Sequence, residues 1–177
     1  MRQPTDRLRT NVGGMLLSVI GFLLLAYYAV TAISARDAFW FLNRFDDKPV
    51  RMIVYQAGQQ TELLSGDPGF AELAEAVRAS LASGVARTSG MGLSPGSLQD
   101  AYQQYVTLEV FFDRPVKLHA AFNTGYPQQM LFPITGRHSD LNVVFLGVDG
   151  QYMAGAPVLN TIEPVRRALQ AAGFSIN

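Results

Sequence analysis

The chain has 177 residues, and 49% of them are hydrophobic, which is enough for one compact domain and one further element. Its 14 Lys and Arg residues balance 14 Asp and Glu residues, so it lacks the basic field that nucleic-acid binding requires. The absence of cysteine excludes disulfides, thiolate catalysis, cysteine-ligated metals and covalently attached haem.

The first predicted element is a membrane span. No charged residue occurs between Arg9 and Arg36, and the stretch GGMLLSVIGFLLLAYYAVTAIS has about the 20 residues that a helix needs to cross the hydrocarbon. We therefore expect a short cytoplasmic tail over residues 1–11 and a transmembrane helix over residues 12–35. A cleaved signal peptide is the alternative, with VTA or ISA as its cleavage site.

The basic residues on the two sides of the span are equal in number, so their count does not fix its orientation. Three basic residues precede the span and three follow it, which are Arg2, Arg7, Arg9, Arg36, Arg44 and Lys48. The short basic N-terminus is typical of an uncleaved signal anchor. We therefore expect a single-pass protein of the cytoplasmic (inner) membrane, with its C-terminal domain on the periplasmic or extracellular side.

Small residues recur within the span at helical spacing. Gly14, Ser18 and Gly21 stand at i, i+4 and i+7, so they share one face of the helix. A small-residue face lets another helix approach closely, and these three residues are the predicted helix-packing site. The alternative is that such residues are simply common in membrane helices.

Aromatic residues gather around the end of the span and in the juxtamembrane segment, residues 36–49. We predict that they face the membrane interface or a partner subunit: Tyr27, Tyr28, Phe39, Trp40, Phe41 and Phe45. If the helix continued past Arg36, then Ala38, Phe41 and Phe45 would share a face and form a short amphipathic extension. Pro49 would end it.

The remaining residues, 50–177, predict an α+β domain. Two hairpins are expected around Ala57-Gly58 and Asp149-Gly150, each followed by an amphipathic helix, in GFAELAEAVRASLASG and NTIEPVRRALQAAG. The two β-β-α units have similar spacing, which fits either an internal duplication or chance. The product is an antiparallel sheet of six or seven strands with two helices on one face.

Three further strands are expected between the two units, in YVTLEVFFDRP, VKLHAAF and QMLFPITG. The Ser- and Gly-rich segment from Val85 to Gly96 predicts a mobile loop. In the strand containing LEVFF, alternation places Phe111 on the polar face with Glu109 and Asp113, which makes Phe111 a candidate contact for a partner. A sheet covered on both faces by its own loops is the alternative.

Catalytic, cofactor and metal sites are not predicted. His119 and His138 lack the spacing of a metal site, and adjacent Ser139 and Asp140 cannot converge with His138 as a triad. Alternation places His119 on the polar face, where it meets solvent or a partner. The segment GMGLSPG lacks the GK[ST] ending of a phosphate-binding loop.

The arrangement LEVFFDRPVKLHAAF…LFPITGRHSDLNVVFLG behind an N-terminal span resembles uncharacterised single-pass membrane-anchored proteins of filamentous anoxygenic phototrophic bacteria. The resemblance carries no catalytic residues. It implies an accessory subunit of a photosynthetic or respiratory complex of the alternative complex III type.

The sequence therefore predicts a non-catalytic accessory or scaffolding subunit of a membrane complex for electron transport or photosynthesis. Its expected partners are the lipid bilayer and other subunits, bound through the transmembrane helix and the outer domain, with no nucleic acid and no cofactor. The alternative is a membrane-anchored ligand-binding or sensory ectodomain. A hydrolase using His119 or His138 is a third hypothesis.

Overall fold

The structure, a computed structural model, describes residues 12–176, so the predicted tail over residues 1–11 lies outside the described residues. The helices are α1 (Val12–Ala35), α2 (Phe70–Ala82), α3 (Pro95–Gln103) and α4 (Glu163–Ala171), with a 3₁₀ turn at Ser139–Leu141. The strands are β1 (Arg51–Gln56), β2 (Gln59–Leu64), β3 (Val85–Thr88), β4 (Val106–Phe111), β5 (Gln129–Pro133), β6 (Phe145–Val148), β7 (Gln151–Tyr152) and β8 (Pro157–Leu159).

Helix α1 is long and apolar enough to cross a membrane. It has 24 residues, a mean hydropathy of 2.2 over its most apolar window, and no part of that window is buried inside the described chain. At 1.5 Å per residue, the helix is about 36 Å long. Its exposed Leu, Val and Ile side chains therefore need an apolar environment from outside the described part of the chain.

The end of α1 corrects the predicted amphipathic extension. Arg36 adopts a left-handed conformation, with φ of 52°. Its N–H donates to the Ile33 carbonyl at 3.2 Å, and the Asp37 N–H donates to the Ala32 carbonyl at 3.0 Å. These two bonds form a Schellman motif, which closes the helix and turns the chain away from the helix axis. The extension was wrong because a local motif terminates the helix before Ala38.

The predicted α+β fold with an antiparallel sheet is confirmed. Six strands form one sheet in the order β2-β1-β4-β5-β6-β7, and every pair in it is antiparallel. Both predicted hairpins are present, and Ala57 and Asp149 take positive φ at their turns. The strand orders β1-β2-α2 and β6-β7-α4 are both found, with β8 inserted before α4.

Helices α2 and α4 pack on one face of this sheet, as predicted, and contact each other. The largest core cluster unites Leu73 and Val77 of α2 and Leu169 of α4 with Leu108 of β4 and Phe132 of β5. Helix α3 lies on the opposite face, where a smaller cluster contains Leu131 and Phe145 with Leu98 of α3. The sheet is therefore covered on both faces.

Two predictions about local structure were wrong. The segment from Val85 to Gly96 begins with β3, which pairs with the distant β8, and its last two residues are the start of α3, which the Ser94 hydroxyl caps. In between, the Ser89 N–H and hydroxyl both donate to the Ala156 carbonyl, at 3.0 and 2.7 Å. The segment VKLHAAF is extended but joins no ladder, although its alternating burial follows the predicted pattern.

Candidate functional site

The strand register places a polar row of residues on the face of the sheet that carries α3. Arg51 of β1 lies opposite Phe111 of β4, and Phe111 lies opposite Gln129 of β5. In the next row of the same face, Glu109 of β4 lies between Ile53 and Leu131. Charged and amide side chains therefore lie on a sheet face that is largely buried, which is unusual without a specific partner.

Glu109 is the centre of this face. It is 4% exposed, and three tyrosine hydroxyls donate hydrogen bonds to its carboxylate. Tyr55 donates to Oε2 at 2.9 Å, Tyr102 donates to Oε1 at 3.0 Å, and Tyr152 donates to Oε1 as well. The tyrosines come from β1, α3 and β7, and Tyr55 stacks on Tyr102 with 4.2 Å between ring centroids. The carboxylate thus joins three elements that are distant in the chain.

The tyrosines are held in the protonated state that this role needs. Burial raises the pKa of Tyr55, Tyr102 and Tyr152 above the usual 10.0, and the negative charge of Glu109 raises each further. A phenolate beside a buried carboxylate would place two like charges in a medium of low dielectric. The hydroxyls therefore act as hydrogen-bond donors to the Glu109 side chain.

Gln129 supplies a buried donor next to this carboxylate. The residue is 4% exposed, its Oε1 accepts from the Gly150 N–H at 2.9 Å, and its Nε2 has no partner in the described chain. The backbone donor fixes which end of the amide is the oxygen. Gly147 makes room for this side chain, because a Cβ there would lie 2.9 Å from Nε2.

An open cleft of about 520 Å³ lies over these groups. Arg51 borders it, with its guanidinium carbon 3.9 Å from the centre of the Phe111 ring and one hydrogen bond of 3.3 Å to Glu62. The lining combines one cation, two carboxylates, two amides and aromatic rings: Arg51, Ile53, Tyr55, Glu109, Phe111, Phe112, Gln128, Gln129, Asp149 and Gly150. Such a lining provides polar groups that orient a ligand and apolar walls that contact it.

The cleft offers both hydrogen-bond donors and hydrogen-bond acceptors. Glu109 is fully engaged on one oxygen and has spare acceptor capacity on the other, and its neighbours are neutral phenols. Across residues 12–176, no group of three or more His, Cys, Asp or Glu side chains could hold a metal ion. The groups present can donate and accept hydrogen bonds and balance charge.

A second polar cluster joins α1 to the domain. Asp37, just past the helix, has a side chain that is 5% exposed, and its Oδ2 lies 2.7 Å from Nδ1 of His119. Its Oδ1 accepts from the Phe39 N–H at 2.9 Å, and the Tyr28 hydroxyl donates to the Ala38 carbonyl at 3.0 Å. Ala35 is fully buried. We call Tyr28, Ala35, Asp37, Ala38 and His119 the junction.

Two further donors near the junction lack partners among the described residues. The Nζ atom of Lys117 and the Nε1 atom of Trp40 are buried without a hydrogen bond. Burial lowers the pKa of the Lys117 ammonium, and the nearby charge of Asp37 opposes that shift. The ammonium lies 5.0 Å from the centre of the Tyr126 ring, which offers a cation–π contact in place of an acceptor.

Five of the six predicted interface aromatics gather at the end of α1, and the sixth does not. Edge-on contacts join Tyr27 to Trp40 at 6.0 Å, Tyr28 to Phe41 at 6.3 Å and Trp40 to Phe41 at 5.8 Å, while Phe39 is 58% exposed. Phe45 instead lies in the domain core, 2% exposed and 5.7 Å from Phe112. Its assignment to the interface was wrong, because the turn after α1 directs the chain into the domain.

The predicted helix-packing residues lie along α1, which the domain leaves uncovered. A Cβ on Gly21 would meet no atom within 4 Å, so its surface is open in the described chain. The Ser18 hydroxyl donates to the Gly14 carbonyl at 3.0 Å. This bond satisfies the hydroxyl within its own helix, so the contribution of Ser18 to a helix contact is its small size.

The two histidines lie in separate places. His119 belongs to the junction and is half-buried instead of facing solvent, which corrects the prediction for it. His138 borders a small apolar cavity of about 20 Å³ beside Tyr105 and Arg137. Burial lowers the pKa of His138, and the charge of Arg137 lowers it further.

Sequence reasoning missed the carboxylate site. Alternation correctly placed Glu109 and Phe111 on one face, and the alternative of a sheet covered on both faces is the one found, but no buried carboxylate site was predicted there. The signal was available in part, because Tyr102 and Tyr152 are aromatics in excess of what one core needs. Their convergence on Glu109 depends on α3 and β7 folding over the sheet, which no local pattern reveals.

Comparisons with known proteins give no relative to reason from: no family model, no curated protein and no solved structure matches this chain. The fold and the two polar clusters therefore define the molecule by themselves. They describe an α+β domain joined directly to an apolar helix that is long enough to span a membrane.

Proposed function

We propose that this chain is a single-pass membrane protein that acts as a non-catalytic accessory or scaffolding subunit of a membrane complex. In this proposal α1 spans the cytoplasmic (inner) membrane with its N-terminus inside, and the domain lies on the periplasmic or extracellular side. The observation that carries the proposal is the junction, which connects helix and domain without a flexible linker.

A scaffold must hold its parts in a fixed relation, and the junction provides several independent restraints. The Schellman motif fixes the chain direction after α1, and the contact of Asp37 with His119 ties that turn to a segment 82 residues away. Asn43 then packs on Gly84, where a Cβ would lie 2.4 Å from Oδ1 of Asn43.

The surface of α1 supports an interaction within the membrane. Its side chains are open to the surroundings, and Gly14, Ser18 and Gly21 leave a shallow face along the first half of the helix. Close approach of a second helix on such a face gains van der Waals contact without a large entropic cost. At the other end of α1, the exposed Phe39 and Phe41 lie where headgroups would be in a spanning arrangement.

The resemblance noted from the sequence suggests that the complex is energy-converting, in electron transport or photosynthesis. The proposed partners are the lipid bilayer and the neighbouring subunits of such a complex.

The test is purification in mild detergent through a C-terminal tag, with mass spectrometry of the proteins that accompany the chain. We expect other membrane subunits at constant stoichiometry. A triple variant, Gly14→Leu, Ser18→Leu and Gly21→Leu, should lose them because the added side chains prevent close helix approach.

The matched control is Leu16→Phe, Ile20→Phe and Leu23→Phe, which adds bulk to the opposite face of α1. It should retain the same subunits. A wild-type protein that purifies alone would contradict the accessory role, and equal retention by both triple variants would reject the small-residue face as the contact.

The second candidate is a membrane-anchored ligand-binding domain, in line with the alternative from the sequence. The observation that favours it is the cleft over Glu109 and the unpartnered Nε2 of Gln129. The two candidates are compatible, since a scaffold held at the membrane surface can also bind a small molecule.

A further inference from the structure

We propose that the cleft over Glu109 binds a small zwitterionic compound that carries a protonated amine and a carboxylate, with free α-amino acids as the simplest class. This goes beyond the accessory role and does not depend on it. Three groups of the cleft carry the inference: a buried carboxylate, a buried amide donor and a guanidinium.

The first group calls for a cation. Glu109 is buried, and within residues 12–176 it forms no ion pair with Lys, Arg or His. Hydrogen bonds from the three tyrosines offset part of the free-energy cost of burying its charge, but they supply no positive charge. Its Oε2 accepts from Tyr55 alone, so this oxygen can accept a further hydrogen bond from an ammonium group.

The second group calls for an acceptor. The Nε2 of Gln129 is buried and has no partner in the described chain, while its Oε1 is held by the Gly150 N–H. A buried donor without an acceptor is costly, so a site that leaves one open is suited to a ligand oxygen. Gly147 leaves space for this amide, which shows that the position is built into the fold.

The third group calls for an anion. Arg51 holds its guanidinium over Phe111, between β1 and the strand of Gln129, and Glu62 takes only one of its donors. A guanidinium has five N–H donors in a planar arrangement that suits a carboxylate. In the strand register Arg51 lies on one side of Phe111 and Gln129 on the other, with Nε2 of Gln129 next to Gly147 of β6.

The strand register sets the two ends of the ligand apart. Arg51, Phe111 and Gln129 form one row across the sheet, and Glu109 is two residues from Phe111 along β4, about 7 Å away at the backbone. The carboxylate of the ligand lies over Phe111, and its ammonium points toward Glu109. Ile53 and the Phe111 ring, which also line the cleft, remain for an apolar side chain.

The test uses the full-length protein in mild detergent and isothermal titration calorimetry. Each of the twenty common L-amino acids is titrated separately, with butylamine and butyrate as probes that carry only one of the two charges. We expect saturable binding of at least one amino acid and affinity lower by about tenfold or more for both single-charge probes.

Three variants assign the binding to this cleft. Arg51→Gln removes the cation, Gln129→Glu replaces the donor with an acceptor that repels a carboxylate, and Glu109→Gln removes the anion. Each should weaken binding by about tenfold or more. Arg87→Gln, on the exposed strand β3, is the matched control and should bind as the wild type does.

Circular dichroism and the unfolding midpoint verify that each variant folds. Arg51 is partly exposed at the sheet surface, so Arg51→Gln decides the question even if a buried variant does not fold. Absence of binding by every amino acid at millimolar concentration would overturn the proposal. So would binding that Arg51→Gln leaves unchanged, or equal binding of butylamine and the amino acid.

Discussion

The two faces of the six-stranded sheet are packed differently. On one face, Leu108 and Phe132 pack against α2 and α4 in an apolar core. On the other face, Glu109 lies under α3 and accepts a hydrogen bond from Tyr102 of that helix. The first face gains its stability from removing apolar area from water, which needs only shape and volume. The second face also depends on hydrogen bonds whose geometry must be right, since each unsatisfied group is costly. The difference separates a face that needs only apolar packing from a face that also needs specific hydrogen bonds.

The largest effect should appear when the same substitution is made on each face. Leu108→Ala and Leu131→Ala both remove a fully buried leucine, from the larger and the smaller cluster respectively. We expect Leu108→Ala to cost about 4 kcal/mol and Leu131→Ala about 2 kcal/mol, the upper and lower parts of the range for such changes. Chemical denaturation measures both, and equal costs would break the distinction between the faces.

A smaller effect should follow removal of the central carboxylate. Glu109→Leu leaves the three tyrosine hydroxyls without their common acceptor, at a cost of about 2–3 kcal/mol. Because the tyrosines come from β1, α3 and β7, hydrogen exchange should also increase in α3. Unchanged stability and hydrogen exchange would show that water replaces the carboxylate as acceptor. The hydrogen bonds to Glu109 would then not be what holds α3 in place.

The smallest expected effect is a change in how the free energy of unfolding depends on pH. The pKa of Tyr55 is raised in the folded state, so its unfolded form loses a proton near pH 10 while the folded form does not. The contribution of these tyrosines to stability is therefore complete below about pH 10 and falls as the pH rises above it. Tyr55→Phe should reduce the slope of unfolding free energy against pH by about one proton.

The control for this measurement is Tyr126→Phe, since Tyr126 is 58% exposed and lies away from Glu109. In this variant the slope of unfolding free energy against pH should equal that of the wild type. The comparison is made between about pH 9 and pH 11, which brackets the ordinary tyrosine pKa of about 10. An equal reduction by both variants would show that the slope does not come from the tyrosines around Glu109.

Much of the apolar face could be predicted from the sequence. Periodicity identified α2 and α4 because their apolar residues recur on one side, and turn chemistry placed both hairpins because Ala57-Gly58 and Asp149-Gly150 stand between β-rich runs. Both signals depend only on residues that are close in the sequence, so they can be recognised without knowledge of the tertiary contacts.

The rest depends on contacts between distant segments. Strand β3 forms because β8 lies beside it, about seventy residues later, and Phe45 is buried because a Schellman motif turns the chain at Arg36. Helix α3 has too few apolar residues to be recognised by periodicity, and its position over Glu109 comes from Tyr102. The polar site was missed for the same reason.

The junction also fixes where the cleft points. Membrane helices are commonly tilted by about 20°, and a domain bound to α1 through Ala35 and Asp37 takes the same tilt. In the proposed membrane-spanning arrangement, a change in the tilt of α1 would therefore change the direction in which the Glu109 face opens relative to the membrane plane. In that arrangement, the lipids around α1 would influence the orientation of the domain, because the junction couples the helix to it.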